Sequence, residues 1–303
     1  MARIKSMKKK QKIENTIIYI LLVLLSIIWI IPIIAILYVS LNPDSSQAAV
    51  SSRMFYPLSE MTFSHYIELF TYKLSPKTDV LPSYVRWYLN TLGLALCVML
   101  INTFFILSVA YTMSRLKFKG RRTLMSINLV LGMFPGFMSM IAIYNILKLF
   151  NTLLGLGDTL GLVHLGLCYS MASGSGFYIA KGFFDTVPKS LDEAARIDGA
   201  NNAAVFFKIV LPLSKPIIVY TLVTAFMGPW MDYIFCSYVI RNNTDNYTVA
   251  LGLYQWLNTQ ELKNTKYTDF FAGSVLVSIP IMAVFLATQK YYVEGVTGGA
   301  VKG

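Results

Sequence analysis

Charge is what this sequence has least of. Only 14% of its 303 residues are Asp, Glu, Lys or Arg, where soluble domains run at about a quarter, and 55% are hydrophobic. That deficit excludes an ordinary water-soluble fold. Histidine is scarce as well: His65 and His164 are the two in the chain, and neither has a ligand partner at i+4, which argues against a helical metal site. Both read as ordinary hydrogen-bonded histidines rather than proton relays. The three cysteines, Cys97, Cys168 and Cys236, stand in or beside apolar runs without paired spacing, so they read as small packing residues. A phosphate-cradling G-x-x-x-x-G-K-[ST] loop is missing. If this chain moves a solute uphill, the energy comes from ion coupling or from another polypeptide.

What is present is apolar sequence in lengths a bilayer requires. A membrane-spanning helix needs about 20 apolar residues, and six runs qualify, at about 17–41, 89–113, 124–147, 160–180, 216–240 and 271–289. The fold class expected is therefore all-α and integral to the membrane, with six transmembrane helices. The first run contains Pro32 and continues into "LNPDSS" without a small-residue cleavage site, so it predicts a retained span and not a signal peptide. The formal net charge of +11 is placed by the loops. With the N-terminus inside, one side carries 18 Lys/Arg and 6 acids, the other 8 and 9. That asymmetry follows the positive-inside rule, predicts both termini in the cytoplasm, and removes nucleic acid as a partner.

The organisation expected is a basic N-terminus (1–16), a single six-helix domain (17–289) and a cytoplasmic tail (290–303). Within the domain, the outer segment 42–88 holds "SEMTFSHYIELF", where Phe63, Tyr66, Ile67 and Phe70 recur at near-helical spacing and predict an ordered cap. The outer loop 241–270, rich in Asn, Tyr, Trp and Gln, suits contact with a sugar or a protein, and equally a hydrated connector. Asp232 is the carboxylate at membrane depth, and such groups are costly unless they work. Either it lines a translocation path with Trp230 and Tyr233, or the helix unwinds at Gly228 and Pro229 and Asp232 caps the segment beyond.

The loop 181–215 carries the sharpest pattern. In "VPKSLDEAARIDGANNAAVFFKIVLP", Ser190 with Glu193 fits a capping box, a short helix over 191–198 places Leu191, Ala194 and Ala195 on one face, Gly199 is a left-handed stop, and Asn201 or Asn202 caps the next helix. The result is a helix–glycine–helix elbow. Its face is too small and weakly apolar for lipid and fits a protein groove better.

Glu193-Ala194-Ala195, Gly199 and Ile209-x-Leu211-Pro212 resemble the EAA signature, E-A-A-x3-G-x9-I-x-L-P, of permease subunits in bacterial ATP-binding-cassette (ABC) importers. The six-span plan, "NTLGLALCVMLINTFFILSVAYTMSRLKFKGRR", "MFPGFMSMIAIYNILKLF" and "YYVEGVTGGAVKG" are similar to the smaller permease subunit of maltose-type carbohydrate importers. The resemblance implies a type I importer permease fold, located in the bacterial cell membrane among lipid. It further implies a coupling helix docking into a cytoplasmic ATPase through Leu191, Glu193, Ala194, Ala195, Asp198 and Gly199, with the tail residues Gly298, Gly299 and Lys302 reaching the same partner. Implied partners are a second homologous permease, a homodimeric ABC ATPase that binds ATP and Mg, and an extracellular sugar-binding protein contacted by Tyr254, Gln255 and Trp256. The chain itself is then no enzyme and holds no cofactor or metal, and Trp230, Asp232 and Tyr233 are its candidate substrate or path residues. The alternatives are a permease for another solute, a secondary transporter, or a structural membrane protein that binds a soluble partner. The second is disfavoured by the scarcity of buried carboxylates and by the lack of paired interrupted helices.

Overall fold

The computed structural model describes residues 2–300 apart from 54, 75–79, 134–135, 156–159, 172–175 and 242. The described residues are helical throughout, without a strand. Along the chain run α1 (Ala2–Ser40), α2 (Gln47–Ser52), α3 (Ser64–Leu69), α4 (Ser83–Arg115), α5 (Arg121–Gly132), α6 (Gly136–Leu153), α7 (Leu162–Met171) and α8 (Gly176–Thr186). They are followed by α9 (Lys189–Ile197), α10 (Asn202–Val205), a π-turn over Phe206–Val210, α11 (Leu211–Leu213), α12 (Lys215–Met231), α13 (Ile234–Ile240), α14 (Val249–Asn258), α15 (Gln260–Lys263) and α16 (Tyr267–Ala300).

Among the described residues, three stretches are long and apolar enough to cross a bilayer unaided: Gln11–Ser40, Ser83–Arg115 and Tyr267–Tyr291. The first exposes its apolar side chains around its whole circumference, Ile20, Leu24, Ile28 and Ile31 among them, as a helix bathed in lipid does. Of the other runs, 124–147 and 160–180 each include residues outside those described, and the run at 216–240 breaks at Asp232–Tyr233 between α12 and α13. Asn202–Leu213 meets Lys215–Met231 at 87°, the bend falling at Ser214, which has left helical geometry. Apolar composition reports what surrounds a segment and is blind to its continuity.

The chain separates into two units, residues 1–71 with 256–275 and residues 72–255 with 276–303. In the first, α3 is held by charge. His65 Nδ1 lies 2.5 Å from Asp269 Oδ1, Lys266 Nζ lies 2.9 Å from Asp269 Oδ2 and also pairs with Glu68, and His65 and Asp269 are buried. The buried face of α3 is therefore His65 and Leu69. Phe63, Ile67 and Phe70, at near-helical spacing in the sequence, point outward, because burying the ion network orients the helix. His164 is hydrogen-bonded too, to Asn151 Oδ1 at 2.7 Å, and all three cysteines are free.

In the second unit, α4 is the axis. Ile106, Leu107, Ala110 and Tyr111 pack with Phe177, Ala180 and Phe184 of α8, with Val205, Phe206 and Val210, and with Ile217 of α12. Gly176 lets α8 approach: a Cβ there would meet the Ile106 side chain at 2.8 Å. The segment 241–270, expected as a loop, is largely helical, holding α14, α15 and the start of α16. Asn90 donates to the carbonyls of Asp245 (2.8 Å) and Tyr247 (3.0 Å), and Thr91 Oγ1 accepts from the Val249 amide at 2.8 Å. These bonds seat Val249, Leu251 and Leu253 in the core, and Gly252 lies directly against the Trp87 ring. Polar composition concealed this apolar stripe.

Candidate functional site

The elbow is built from its own termini outward. Pro188 ends the preceding segment in extended geometry and stands as the N-cap of α9 without a side-chain bond. The helix thus begins at Lys189, two residues too early for Ser190 to cap it, and the expected capping box of Ser190 and Glu193 does not form. At the other end, the Gly199 amide donates to Arg196 O (3.1 Å) and the Ala200 amide to Ala195 O (2.9 Å). That is a Schellman stop, and it places Gly199 at φ +84, where a Cβ would strain the backbone. Asn201 Oδ1 then accepts from the Ala204 amide at 2.8 Å and caps the second limb. Arg196 ties the limbs together by donating to Asn202 Oδ1 at 2.7 Å.

The last turn of α4 grips this elbow. Tyr111, Ser114 and Arg115 lie on one face at i, i+3 and i+4. The Tyr111 hydroxyl donates to Asn202 O at 3.0 Å, Ser114 to Asp185 Oδ1 at 2.6 Å, and Arg115 Nη2 to Val187 O at 2.8 Å. Arg115 Nε also lies 3.2 Å from Asp192 Oδ2, with the two side chains only 1% and 9% exposed. Lys181 pairs with the other oxygen of Asp185 at 2.5 Å. Burial pushes the Asp185 carboxyl up, but the bonds from Lys181 and Ser114 outweigh it, and its pKa falls below the ordinary value.

Of the residues expected to face a partner, Leu191, Glu193, Ala194, Asp198 and Gly199 are exposed. Ala195 is not: it is half-buried and packs on the chain's own core. Asp192 and Ala195 form the inward stripe of α9, and the small side chain at 195 lets the helix lie close. Ile197, 87% exposed, takes the place on the outward face. The sequence carried a signal for it, a large apolar residue one position before a polar stop, as it did for Arg115 in the "YTMSR" end of an apolar run.

The second candidate group is drawn together differently. α12 runs through Gly228 and Pro229 to Met231, so the unwinding lies at Asp232 and not at the glycine. Asp232 Oδ1 accepts from the Phe235 amide at 3.0 Å and caps α13, while its Oδ2 accepts from the Tyr169 hydroxyl at 2.7 Å. Trp230 is buried against Tyr88, and Tyr233 stacks on Tyr254 with centroids 3.7 Å apart. Trp256 is 1% exposed, which removes it as a surface contact, whereas Tyr254 and Gln255 remain partly exposed. Gly298 and Gly299 fall in the last turns of α16, and Lys302 lies outside the described residues.

The chain belongs to the family of binding-protein-dependent transport system inner membrane components, whose model matches residues 103–297. It is similar to the galactooligosaccharides transport system permease protein GanQ of Bacillus subtilis, 34% identical over 297 residues and covering 98% of this chain and 99% of that one. It is likewise similar to the maltodextrin transport system permease protein MalD of Streptococcus pneumoniae, 33% identical over 302 residues with 98% and 99% coverage. Among solved structures, a bacterial ABC transporter involved in the import of the acidic polysaccharide alginate shares the fold, with a TM-score of 0.67 at 23% identity over 93% of this chain and 97% of that one.

Proposed function

We propose that this chain is one half of the transmembrane pore of an ATP-driven importer for maltodextrin-like or related oligosaccharides. The full-length similarity to GanQ and MalD, permeases named for galactooligosaccharide and maltodextrin transport, supports the substrate class. The observation that carries the mechanism is the elbow: its exposed face of Leu191, Ala194 and Ile197 is held to α4 through buried Arg115 and Asp192. On this reading the chain crosses the bilayer six times, with both termini and residues 181–215 in the cytoplasm.

The elbow docks into a homodimeric ABC ATPase, which binds ATP and Mg. Closure of that dimer moves α9, and the Arg115–Asp192 tether passes the movement to α4, whose length spans the membrane. A second permease completes the pore, and an extracellular binding protein delivers sugar, with Tyr254 and Gln255 its candidate contacts. A structural neighbour, an alginate transporter solved in complex with a pentasaccharide-bound periplasmic protein, illustrates such a delivery complex. Ala194→Trp tests the docking. Ala194 is exposed, so the variant is expected to reach the membrane at normal level, lose ATPase co-purification and lower sugar uptake at least tenfold. Wild-type uptake and recovery would contradict the docking.

A further inference from the structure

α12 carries a stripe that its apolar composition conceals. Tyr220, Thr221, Thr224 and Gly228 recur at i, i+1, i+4 and i+8, along one face of the helix. They border a cavity of about 310 Å³, whose other walls include Asn102 of α4 and Tyr169 of α7. That volume is at the small end of ligand sites. The threonine hydroxyls donate back along the helix, Thr221 to Ile217 O at 2.7 Å and Thr224 to Tyr220 O at 2.9 Å. Their oxygens therefore keep acceptor capacity and little capacity to donate. Thr224 is exposed, and a Cβ built on Gly228 meets nothing within 4 Å, so the helix is open at this turn.

The lining includes no Lys or Arg. The charge behind it is the Asp232 carboxylate, which Tyr169 contacts through its hydroxyl. A wall of hydroxyl acceptors and tyrosine rings with a carboxylate behind it receives the O–H donors and C–H face of a sugar ring and repels an anionic one. The larger hollow between α4 and α7, about 550 Å³, is lined mostly by Leu89, Leu94, Phe105, Val163 and similar residues, and offers a sugar little to bond.

We propose that the α12 cavity is a subsite for one uncharged glycosyl unit on the transport path. The inference rests on the carbohydrate-importer reading and adds where this chain touches the sugar. The test uses the complete importer in proteoliposomes with its binding protein, radiolabelled maltotriose as probe, and two readouts, uptake and binding-protein-stimulated ATP hydrolysis. Gly228→Leu fills the open turn while favouring the helix. It is expected to cut uptake at least tenfold with ATP hydrolysis kept within twofold of wild type. Thr224→Val preserves shape and removes the acceptor, and is expected to raise the KM for uptake several-fold. Wild-type uptake by Gly228→Leu, or an unchanged KM for Thr224→Val, would overturn the subsite alone. Failure of the wild-type complex to import either maltotriose or a radiolabelled galactotriose would overturn the carbohydrate reading and the subsite with it. Should Gly228→Leu not assemble, Thr224→Val decides by its KM.

Discussion

Arg115→Met asks whether the elbow is fastened to α4 by charge. The guanidinium and the Asp192 carboxylate are both nearly sealed from solvent, and Arg115 also donates to Val187 O. Removing one member of a buried pair costs about 3–5 kcal/mol, because the other charge stays buried without its counterion. Asp192 is left buried without its counterion. At roughly 2–4 °C per kcal/mol for a domain of this order of size, the melting temperature in detergent should fall by about 6–20 °C. Asp192→Leu alone should fall comparably. The double variant Arg115→Met/Asp192→Leu, which replaces both charges by apolar volume, should recover most of the loss, since exchanging a whole buried pair is often neutral. A double-mutant cycle read by thermal unfolding, with uptake measured in parallel, separates the contributions. Single variants melting within about 1 °C of wild type, or a double variant whose loss equals the sum of the singles, would refute the tether.

Three further outcomes follow from the geometry. Gly252→Ala places a methyl group inside the Trp87 ring, so it should destabilise by at least 1–3 kcal/mol, visible as a lower melting temperature; a neutral result would mean that α14 does not lie against α4. Gly199→Ala has room for its methyl but not the backbone angle, and should cost about 1–2 kcal/mol of local order. Gly199→Asn should cost less, and hydrogen–deuterium exchange over 189–205 would register both. The Asp185 carboxyl titrates below its ordinary value, so its contribution is present above about pH 4 and lost as pH falls through the folded-state value. Acidification from about pH 5 to 3 should therefore lower the melting temperature of wild type more than that of Asp185→Asn, and equal slopes would contradict the assignment.

The elbow was legible because it is local: Gly199 as a left-handed stop and Asn201 as a cap are requirements of a few consecutive residues. Its attachment was not. Arg115 and Asp192 are far apart in sequence, and a charge at the end of an apolar run reads as a loop residue until the fold closes over it. Ala195 was misplaced for a related reason. Spacing groups it with Leu191 and Ala194, but the buried Asp192 turns the helix so that residue 195 faces inward. Hydropathy identified the membrane character of the chain and not where helices stop. Asp232 illustrates the limit, since the break comes at the residue that caps the next helix and not at the preceding Gly-Pro. The polar stripe of α12 was present as Tyr220, Thr221, Thr224 and Gly228, yet only the facing Asn102 and Tyr169 give it a cavity.

The most direct test of the account is to purify the tagged chain from its native membrane in mild detergent and identify by mass spectrometry what accompanies it. The account predicts an ABC ATPase in stoichiometric amount, a second permease of the same family, and a sugar-binding protein when the ATPase is trapped with a nucleotide analogue. Repeated recovery of this chain alone, in a detergent that preserves comparable complexes, would contradict it.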